Sequence, residues 1–176
     1  MNLKESRINS KRIYSGKILN LEVDEVELPN GEHSVRECVR HHGGAAVFFE
    51  KDGKILLVKQ FRYLYNKAIY EIPAGKLEKG EDPMLAAARE LEEETGYRAK
   101  LVKYFDMYPT PGYTDEIIHV YKALSYEYVG QKLDEDEFLN CEFISCDEVE
   151  KLIECGEICD GKTIAAFYKF KAESAK

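Results

Sequence analysis

The chain has 176 residues, of which 44% are hydrophobic and 33% are charged, values that are ordinary for one soluble globular domain. A net charge of −8 at pH 7 argues against general attraction to nucleic acid, because its phosphates are negative too. The sequence shows neither an apolar run of about 18 residues nor the apolar core of a signal peptide. We therefore expect a cytoplasmic protein that does not enter the membrane.

The first half of the chain alternates in the manner of strands, with turn signals at short intervals. Hairpins are predicted at 29–32, where the sequence reads PNGE, and at 51–53, where it reads KDG. The predicted strands are residues 19–28, 33–41, 45–50, 54–61 and 68–73.

The periodicity then becomes helical. Asp82 suits an N-cap, Pro83 suits the first helical position and Gly96 suits a C-cap. The residues expected to form the buried stripe of this helix are Met84, Ala88, Leu91 and Thr95.

Strands resume after this helix, and two further helices follow. The predicted strands are 100–108, 117–126 and 138–145, and the predicted helices are 146–156 and 162–174. This order predicts an α+β or α/β fold with a mixed sheet rather than regular βαβ repeats. No linker or repeat divides the chain. The five cysteines form no CxxC pair and are odd in number, so we expect reduced, mostly structural thiols.

The predicted helix carries the most informative stretch, RELEEETGY, at residues 89–97. At 3.6 residues per turn, Glu90, Glu93 and Glu94 lie within an arc of about 100°. Arg89 can pair with Glu93 at i,i+4, which leaves Glu90 and Glu94 adjacent without an obvious local cation. Such a cluster is either a solvated face or a site for a hard divalent cation such as Mg²⁺. A loop with Gly75 and Gly80 precedes the helix and favours the second interpretation.

A family resemblance decides between them. The motif G-x5-E-x7-R-E-U-x-E-E-x-G-U, where U is a bulky apolar residue, is matched at every fixed position. The matching residues are Gly75, Glu81, Arg89, Glu90, Leu91, Glu93, Glu94, Gly96 and Tyr97. The chain thus resembles the Nudix hydrolases, which cleave a nucleoside diphosphate linked to another moiety and use Mg²⁺ or Mn²⁺.

The resemblance implies a fold and an assembly. The implied fold is an α/β (α+β) sandwich, a mixed β-sheet flanked by helices with an N-terminal antiparallel β extension. Residues 1–176 would form a single Nudix domain, in which 1–42 are the extension and 43–176 the core. The extension would form a homodimer in which both chains line the substrate site. A strand that completes its own sheet would give the same alternation at Leu19, Leu21 and Val23.

The resemblance also assigns roles within the motif. The metal ligands would be Glu90, Glu94 and the carbonyl of Ala74. Arg89 would orient Glu93, which belongs to the catalytic group. Glu81 would support the loop, and Gly96 has a structural role.

Beyond the motif, the chain resembles the bacterial ADP-ribose pyrophosphatases over nearly its whole length. The similar segments are SGKILNLEVDEVELPNG, VKQFRY, EIPAGKLEKGE, TPGYTDE, LDEDEF and DGKTIAA. Pro111, about 15 residues after the motif, is a mark of that group. The implied reaction is the hydrolysis of ADP-ribose to AMP and ribose 5-phosphate.

The second acidic cluster, LDEDEF at 133–138, is a charged surface turn or part of the site. Under the resemblance, Glu135 is the general base for the attacking water and Glu137 contributes to a further metal ion. Glu137 is the alternative base.

Candidate substrate contacts are less specific. Arg36 and Arg62 align with arginines that hold phosphates or stack near adenine, although either could be a surface residue. Glu116 could bind the terminal ribose hydroxyls, and Gly75 belongs with the substrate-binding residues. Tyr14 and Tyr65 could stack on adenine or simply pack.

Two other functions remain open at this point. The substrate could be another nucleoside diphosphate sugar, such as ADP-glucose or GDP-mannose. A ligand-sensing domain without catalysis is the other, but such domains usually carry an eroded motif and an added DNA-binding domain. No catalytic histidine, Ser/His/Asp arrangement or Cys/His arrangement is expected.

Overall fold

The computed structural model describes residues 2–133 and 137–175. Two compact units are present, one made of Met1–Gly43 and Tyr108–Ile117, the other of Gly44–Met107 and Ile118–Lys176. Within the described part of the chain, no helix is long and apolar enough to cross a membrane.

The first unit is a three-stranded antiparallel sheet in the order β1-β2-β3. Its strands are β1 (Ser6–Ser15), β2 (Leu19–Glu27) and β3 (His33–His41). The predicted hairpin at 29–32 is confirmed, since the Leu28 N–H donates to the Glu32 carbonyl at 2.7 Å and Gly31 takes a positive φ of 85°. The segment Tyr108–Ile117 joins this sheet through a bridge between Val39 and Thr114.

Strand β1 was not predicted from the sequence. Every one of its residues is exposed, including the apolar Ile8 and Ile13, at 49% and 52%. Because neither face of the strand is buried, its sequence lacks the alternation that marks a half-buried strand.

In its described residues, the second unit holds two four-stranded sheets and three α-helices. One sheet has the order β8-β4-β10-β9, and the other has the order β11-β6-β5 with β7 paired to β6. The pair β4–β10 is parallel and the remaining pairs are antiparallel, so the sheets are mixed, as predicted. The strands are β4 (Gly44–Phe48), β5 (Glu50–Lys51), β6 (Lys54–Arg62), β7 (Lys67–Glu71), β8 (Ala74–Lys76), β9 (Tyr97–Met107), β10 (Ile118–Tyr128) and β11 (Leu139–Ser145). The helices are α1 (Pro83–Thr95), α2 (Cys146–Glu154) and α3 (Gly161–Ser174), and a 3₁₀ turn spans Tyr63–Tyr65.

Strand β4 lies at the centre of the core and is buried on both faces. Val47 packs in one cluster with Leu91 of α1. Phe48, which points to the opposite face, packs in a second cluster with Val149 of α2 and Phe167 of α3. Because strand side chains alternate between faces, one strand supports a helical layer on each side.

Helix α1 begins and ends as predicted. Asp82 accepts from the Met84 N–H at 2.9 Å, and Gly96 adopts a left-handed conformation with a φ of 74°. The predicted buried stripe is wrong at Met84, which is 42% exposed. Met84 lies on the same face as Leu91 but in the first turn, where the core no longer covers it.

Candidate active site

The C-terminal half of α1 places Glu90 and Glu94 against the short strand β8. Gly75 lies directly under the Glu90 carboxylate. A Cβ added at Gly75 would lie 1.9 Å from Cδ and Oε1 of Glu90. Gly75 is therefore needed for this close approach, and its φ is not positive. The Glu90 carboxylate thus fills the space that a Cβ at Gly75 would need.

Arg89 is the cation that organises three of the motif carboxylates. Its Nη1 donates to Glu90 Oε1 at 2.9 Å and to Glu93 Oε2 at 3.0 Å. Its Nε donates to Glu81 Oε1 at 3.2 Å. The expected i,i+4 pair of Arg89 and Glu93 is present, but the expectation that Glu90 lacks a local cation is wrong. The long Arg89 side chain thus reaches the carboxylate of its neighbour in sequence as well as that of Glu93.

Glu81 connects Arg89 to the loop before α1. Its Oε2 accepts from the Glu78 N–H at 2.9 Å. That hydrogen bond, followed by the one from Arg89, holds the pKa of Glu81 below its ordinary value. Glu81 therefore ties the loop to the helix, which is the arrangement that its expected supporting role requires.

Glu94 is the most buried carboxylate of the motif, at 2% exposure. Its Oε2 accepts from the Ala74 N–H at 2.9 Å. Burial, with the nearby carboxylates of Glu137, Glu90 and Glu71, raises the pKa of Glu94 to about 8. Among the residues described, no lysine or arginine forms an ion pair with Glu94.

Burial also raises the pKa of Glu90, and the charges of Glu93 and Glu137 add to the effect while Arg89 opposes it. Glu90 and Glu94 are therefore two poorly solvated carboxylates within electrostatic range of each other and of Glu137. The other candidate of this acidic cluster, Glu135, lies outside the described residues.

Arg62, at the end of β6, forms a bidentate pair with Glu71 at the end of β7. Its Nε donates to Glu71 Oε1 at 2.5 Å and its Nη2 donates to Oε2 at 2.9 Å. In the antiparallel register of β6 and β7, Arg62 lies opposite Lys67 and Glu71 lies opposite Val58, so the pair is formed by side chains that reach along the ladder and not by directly opposed residues. The Glu71 side chain also accepts from Lys162 of α3 at 2.5 Å.

Two candidate substrate residues belong to the first unit. Arg36 forms a bidentate pair with Glu5, at 3.0 Å from Nε and 2.6 Å from Nη2. The Glu116 carboxylate lies 3.5 Å from Nδ1 of His41. Their roles in substrate binding stay predictions, as do the stacking roles considered for Tyr14 and Tyr65, which are exposed at 57% and 70%.

Sequence reasoning missed several groups that contact this region. Glu71, Lys162 and Thr163 surround the segment before β8, and the main-chain carbonyl of Glu94 accepts from Gln131 at 2.6 Å and Cys141 at 3.0 Å. The segment DGKTIAA, which includes Lys162 and Thr163, is similar to a segment of the ADP-ribose pyrophosphatases, but that similarity predicts no role for either residue. Its contact with β7 spans 91 residues, so no local spacing could have revealed it.

The comparison with family models decides the family. Residues 39–167 match the NUDIX domain, and residues 5–39 match the nucleoside diphosphate sugar hydrolase N-terminal domain. The chain belongs to the Nudix family. The expected resemblance is thereby confirmed.

Two relatives of this Nudix chain are similar over nearly its full length. One is an ADP-ribose pyrophosphatase of Bacillus subtilis, 48% identical, with 98% of this chain and 96% of that protein covered. Another is a methanol dehydrogenase activator of Bacillus methanolicus, 46% identical, with 98% and 95% covered. Among solved structures, an ADP compounds hydrolase superposes with a TM-score of 0.84 at 18% identity, over 98% of this chain and 95% of that one. That likeness confirms the predicted fold class.

Nudix hydrolases generally need a divalent cation, and the motif side chains fit one. Among the described residues, no group of three or more His, Cys, Asp or Glu side chains has the geometry of a complete metal site. Mg²⁺ rarely uses such an all-protein cage, because it is usually held by one or two carboxylates with waters and substrate phosphates. Glu94 supplies a buried carboxylate and Glu90 a partly buried one, and a cation would offset the burial and the repulsion that raise the pKa of both.

Proposed function

We propose that this protein hydrolyses the pyrophosphate bond of ADP-ribose in a Mg²⁺-dependent reaction and releases AMP and ribose 5-phosphate. The observation that carries the proposal is the buried Glu94 carboxylate, which has no lysine or arginine partner in the described residues and lies beside Glu90. The choice of ADP-ribose is supported by the 48% identical relative of that name. Mn²⁺ is a possible substitute for Mg²⁺.

The reaction needs one water activated and the charge of two phosphates offset. Divalent cations, one held by Glu90, Glu94 and the Ala74 carbonyl and a further one to which Glu137 contributes, would lower the pKa of a water and offset phosphate charge. The water oxygen bonds to one phosphorus, and the bridging P–O bond breaks. The departing phosphate keeps the electron pair of that bond.

The side chains of the chain itself have separate tasks in this proposal. Glu135 takes the proton from the water as general base, with Glu137 as the alternative. Arg89 fixes the position of Glu93 and Glu90 through the contacts of its Nη1. Glu81 connects the loop before α1 to Arg89, and Gly75 permits the close approach of β8 to the helix.

Substrate recognition is proposed for three further side chains. Arg62 is held in one orientation by Glu71, so a phosphate would meet a guanidinium that needs little ordering. Arg36 would contact a phosphate or the adenine, and Glu116 the terminal ribose hydroxyls. These assignments rest on the resemblance of the segments that contain them.

We further propose a cytoplasmic homodimer formed through residues 1–42, with 43–176 as the catalytic core of one Nudix domain. The exposure of β1 along its whole length supports a partner, because Ile8, Ile13 and Tyr14 leave apolar surface uncovered. Edge strands that remain exposed in this way are prone to pair with another chain.

A substrate panel tests the assignment. The purified protein is assayed with ADP-ribose, ADP-glucose, GDP-mannose and NADH in Mg²⁺, and each substrate is repeated with a chelator. We expect the kcat/KM for ADP-ribose to exceed the others by tenfold or more, about 1.4 kcal/mol of discrimination. A different preferred substrate would refute the ADP-ribose assignment but keep the Nudix chemistry. Absence of metal-dependent turnover on all four would favour a ligand-sensing role.

A further inference from the structure

The segment DGKTIAA forms the start of α3 and contributes a buried cation to the core. Lys162 is 7% exposed. Its ammonium donates to Glu71 Oε2 at 2.5 Å and to Asp160 Oδ1 at 3.0 Å. With Arg62, which holds the other side of Glu71, it completes a cluster of two cations and two carboxylates.

The next residue, Thr163, is 1% exposed and contacts the main chain of the same segment. Its Oγ1 accepts from the Ile72 N–H at 2.8 Å and donates to Asp160 Oδ2 at 2.6 Å. Asp160 also caps α3 by accepting from the Thr163 N–H at 3.0 Å. The hydroxyl is thus fixed as both donor and acceptor.

These contacts fall on residues 71–74, each of which makes a hydrogen bond to another part of the chain. Lys162 and Arg62 hold the Glu71 side chain, and Thr163 holds the Ile72 N–H. The main-chain carbonyl of Pro73 accepts from the N–H of Val47 at 2.9 Å. The Ala74 N–H then donates to Glu94 Oε2 at 2.9 Å.

We propose that Lys162 and Thr163 are positioning residues for the divalent cation, acting through residues 71–74 on the Glu94 carboxylate and the Ala74 carbonyl. The inference rests on the cation site of the proposed function. Groups that orient metal ligands without touching the metal typically change metal affinity by about 10- to 100-fold when they are removed. Thr163 fixes the main chain at Ile72, two residues before Ala74. Lys162 fixes the side chain of Glu71, the first residue of the segment 71–74.

A purely structural role predicts a different pattern. Removing one partner of a buried ion pair or hydrogen bond costs stability whether or not that partner positions a metal ligand, so stability alone does not report on positioning. Cation affinity in the absence of substrate does report on positioning, because it depends on where the Glu94 carboxylate and the Ala74 carbonyl lie. The two readouts therefore separate the hypotheses.

The decisive pair of variants is Thr163→Val and Thr163→Ser. Valine keeps the shape but removes the acceptor for the Ile72 N–H, whereas serine keeps the hydroxyl. Mn²⁺ binding to the full chain without substrate is measured by electron paramagnetic resonance, together with Tm. We expect Thr163→Val to bind Mn²⁺ at least tenfold more weakly and Thr163→Ser to bind within threefold of the unaltered protein.

Lys162→Met gives a second test, with Lys169→Met as its matched control on the same helix. Lys169 is 40% exposed in its side chain and pairs with Glu173 at 2.9 Å. We expect weaker Mn²⁺ binding for Lys162→Met and no change for Lys169→Met. Thr163→Val carries the test if Lys162→Met fails to fold.

Unchanged Mn²⁺ affinity in a folded Thr163→Val variant would overturn the proposal, and so would failure of the unaltered protein to bind Mn²⁺. The substrate assignment fails separately. A protein that binds Mn²⁺ with the expected ranking of variants but does not hydrolyse ADP-ribose would retain the positioning role and lose the proposed substrate.

Discussion

Substitution of Gly75 by alanine tests the close approach between β8 and α1. The new Cβ would lie 1.9 Å from Cδ and Oε1 of Glu90. The carboxylate must therefore move by about 1.5 Å, the gap between 1.9 Å and ordinary contact at 3.4 Å. Because the obstructing atoms are the end of a flexible side chain, the backbone can remain in place. The displaced carboxylate would leave its contact with Arg89.

The size of the effect on activity follows from this displacement. A misplacement of about 1 Å can cost roughly 100-fold in rate, or about 2.7 kcal/mol in the barrier. The effect on stability is small. Alanine at a compatible φ gains about 0.4–1 kcal/mol through the unfolded state, and loss of the contact between Arg89 and the partly buried Glu90 costs about 0–1 kcal/mol because Arg89 keeps Glu81 and Glu93 as partners.

The assay compares kcat/KM for ADP-ribose and Tm of Gly75→Ala with those of Gly161→Ala. At Gly161 an added Cβ meets nothing within 4 Å, so this variant controls for a glycine replacement without a collision. We expect a loss of about 100-fold for Gly75→Ala with little change in Tm, and no loss for Gly161→Ala. Activity of Gly75→Ala within threefold of the unaltered protein would refute the requirement for the Glu90 position.

Three further predictions concern single side chains. Glu94→Gln should lose at least about 100-fold in kcat while circular dichroism stays unchanged, because a neutral amide binds a divalent cation weakly; near-normal turnover would remove Glu94 from the ligand set. Gly96→Ala should lower Tm by about 4 °C or more, since its φ is 74° and a Cβ would lie 2.6 Å from the Gln131 main-chain nitrogen; an unchanged Tm would contradict this. Burial raises the pKa of Glu71, but pairing with Arg62 and Lys162 outweighs it and holds that pKa below its ordinary 4.5. The Glu71 carboxylate therefore stabilises the fold above pH 4.5, and this contribution is lost as the pH falls through the lowered pKa. Glu71→Gln should therefore cost about 3–5 kcal/mol in urea unfolding at pH 7 and progressively less below pH 4.5; a cost that is independent of pH would be the contrary result.

Much of the fold could be predicted because its signals are local. The caps of α1 at Asp82 and Gly96 are determined by residues within one turn of each end. The pairing of Arg89 with Glu93 follows from helical spacing alone. Strand β1 could not be predicted, because its wholly exposed residues leave no alternation to detect. The three-residue strand β8 is too short to show a period.

The parts of the site that escaped prediction depend on contacts between distant segments. The partner of Arg62 is Glu71, although the residue opposite Arg62 in the register of β6 and β7 is Lys67, so not even a correct strand pairing would have identified this ion pair. Lys162 reaches Glu71 only because α3 covers one face of the sheet, and that contact crosses 91 residues. The raised pKa of Glu94 likewise follows from burial, which the motif does not encode in its spacing.

Product analysis of ADP-ribose hydrolysis tests the central claim most directly. The unaltered protein is incubated with ADP-ribose in Mg²⁺, and in parallel with a chelator, and the nucleotide and sugar products are identified by mass spectrometry. The account predicts AMP and ribose 5-phosphate in equal amounts with Mg²⁺ and neither with the chelator. Formation of ADP and ribose, or hydrolysis that continues undiminished in the chelator, would contradict it.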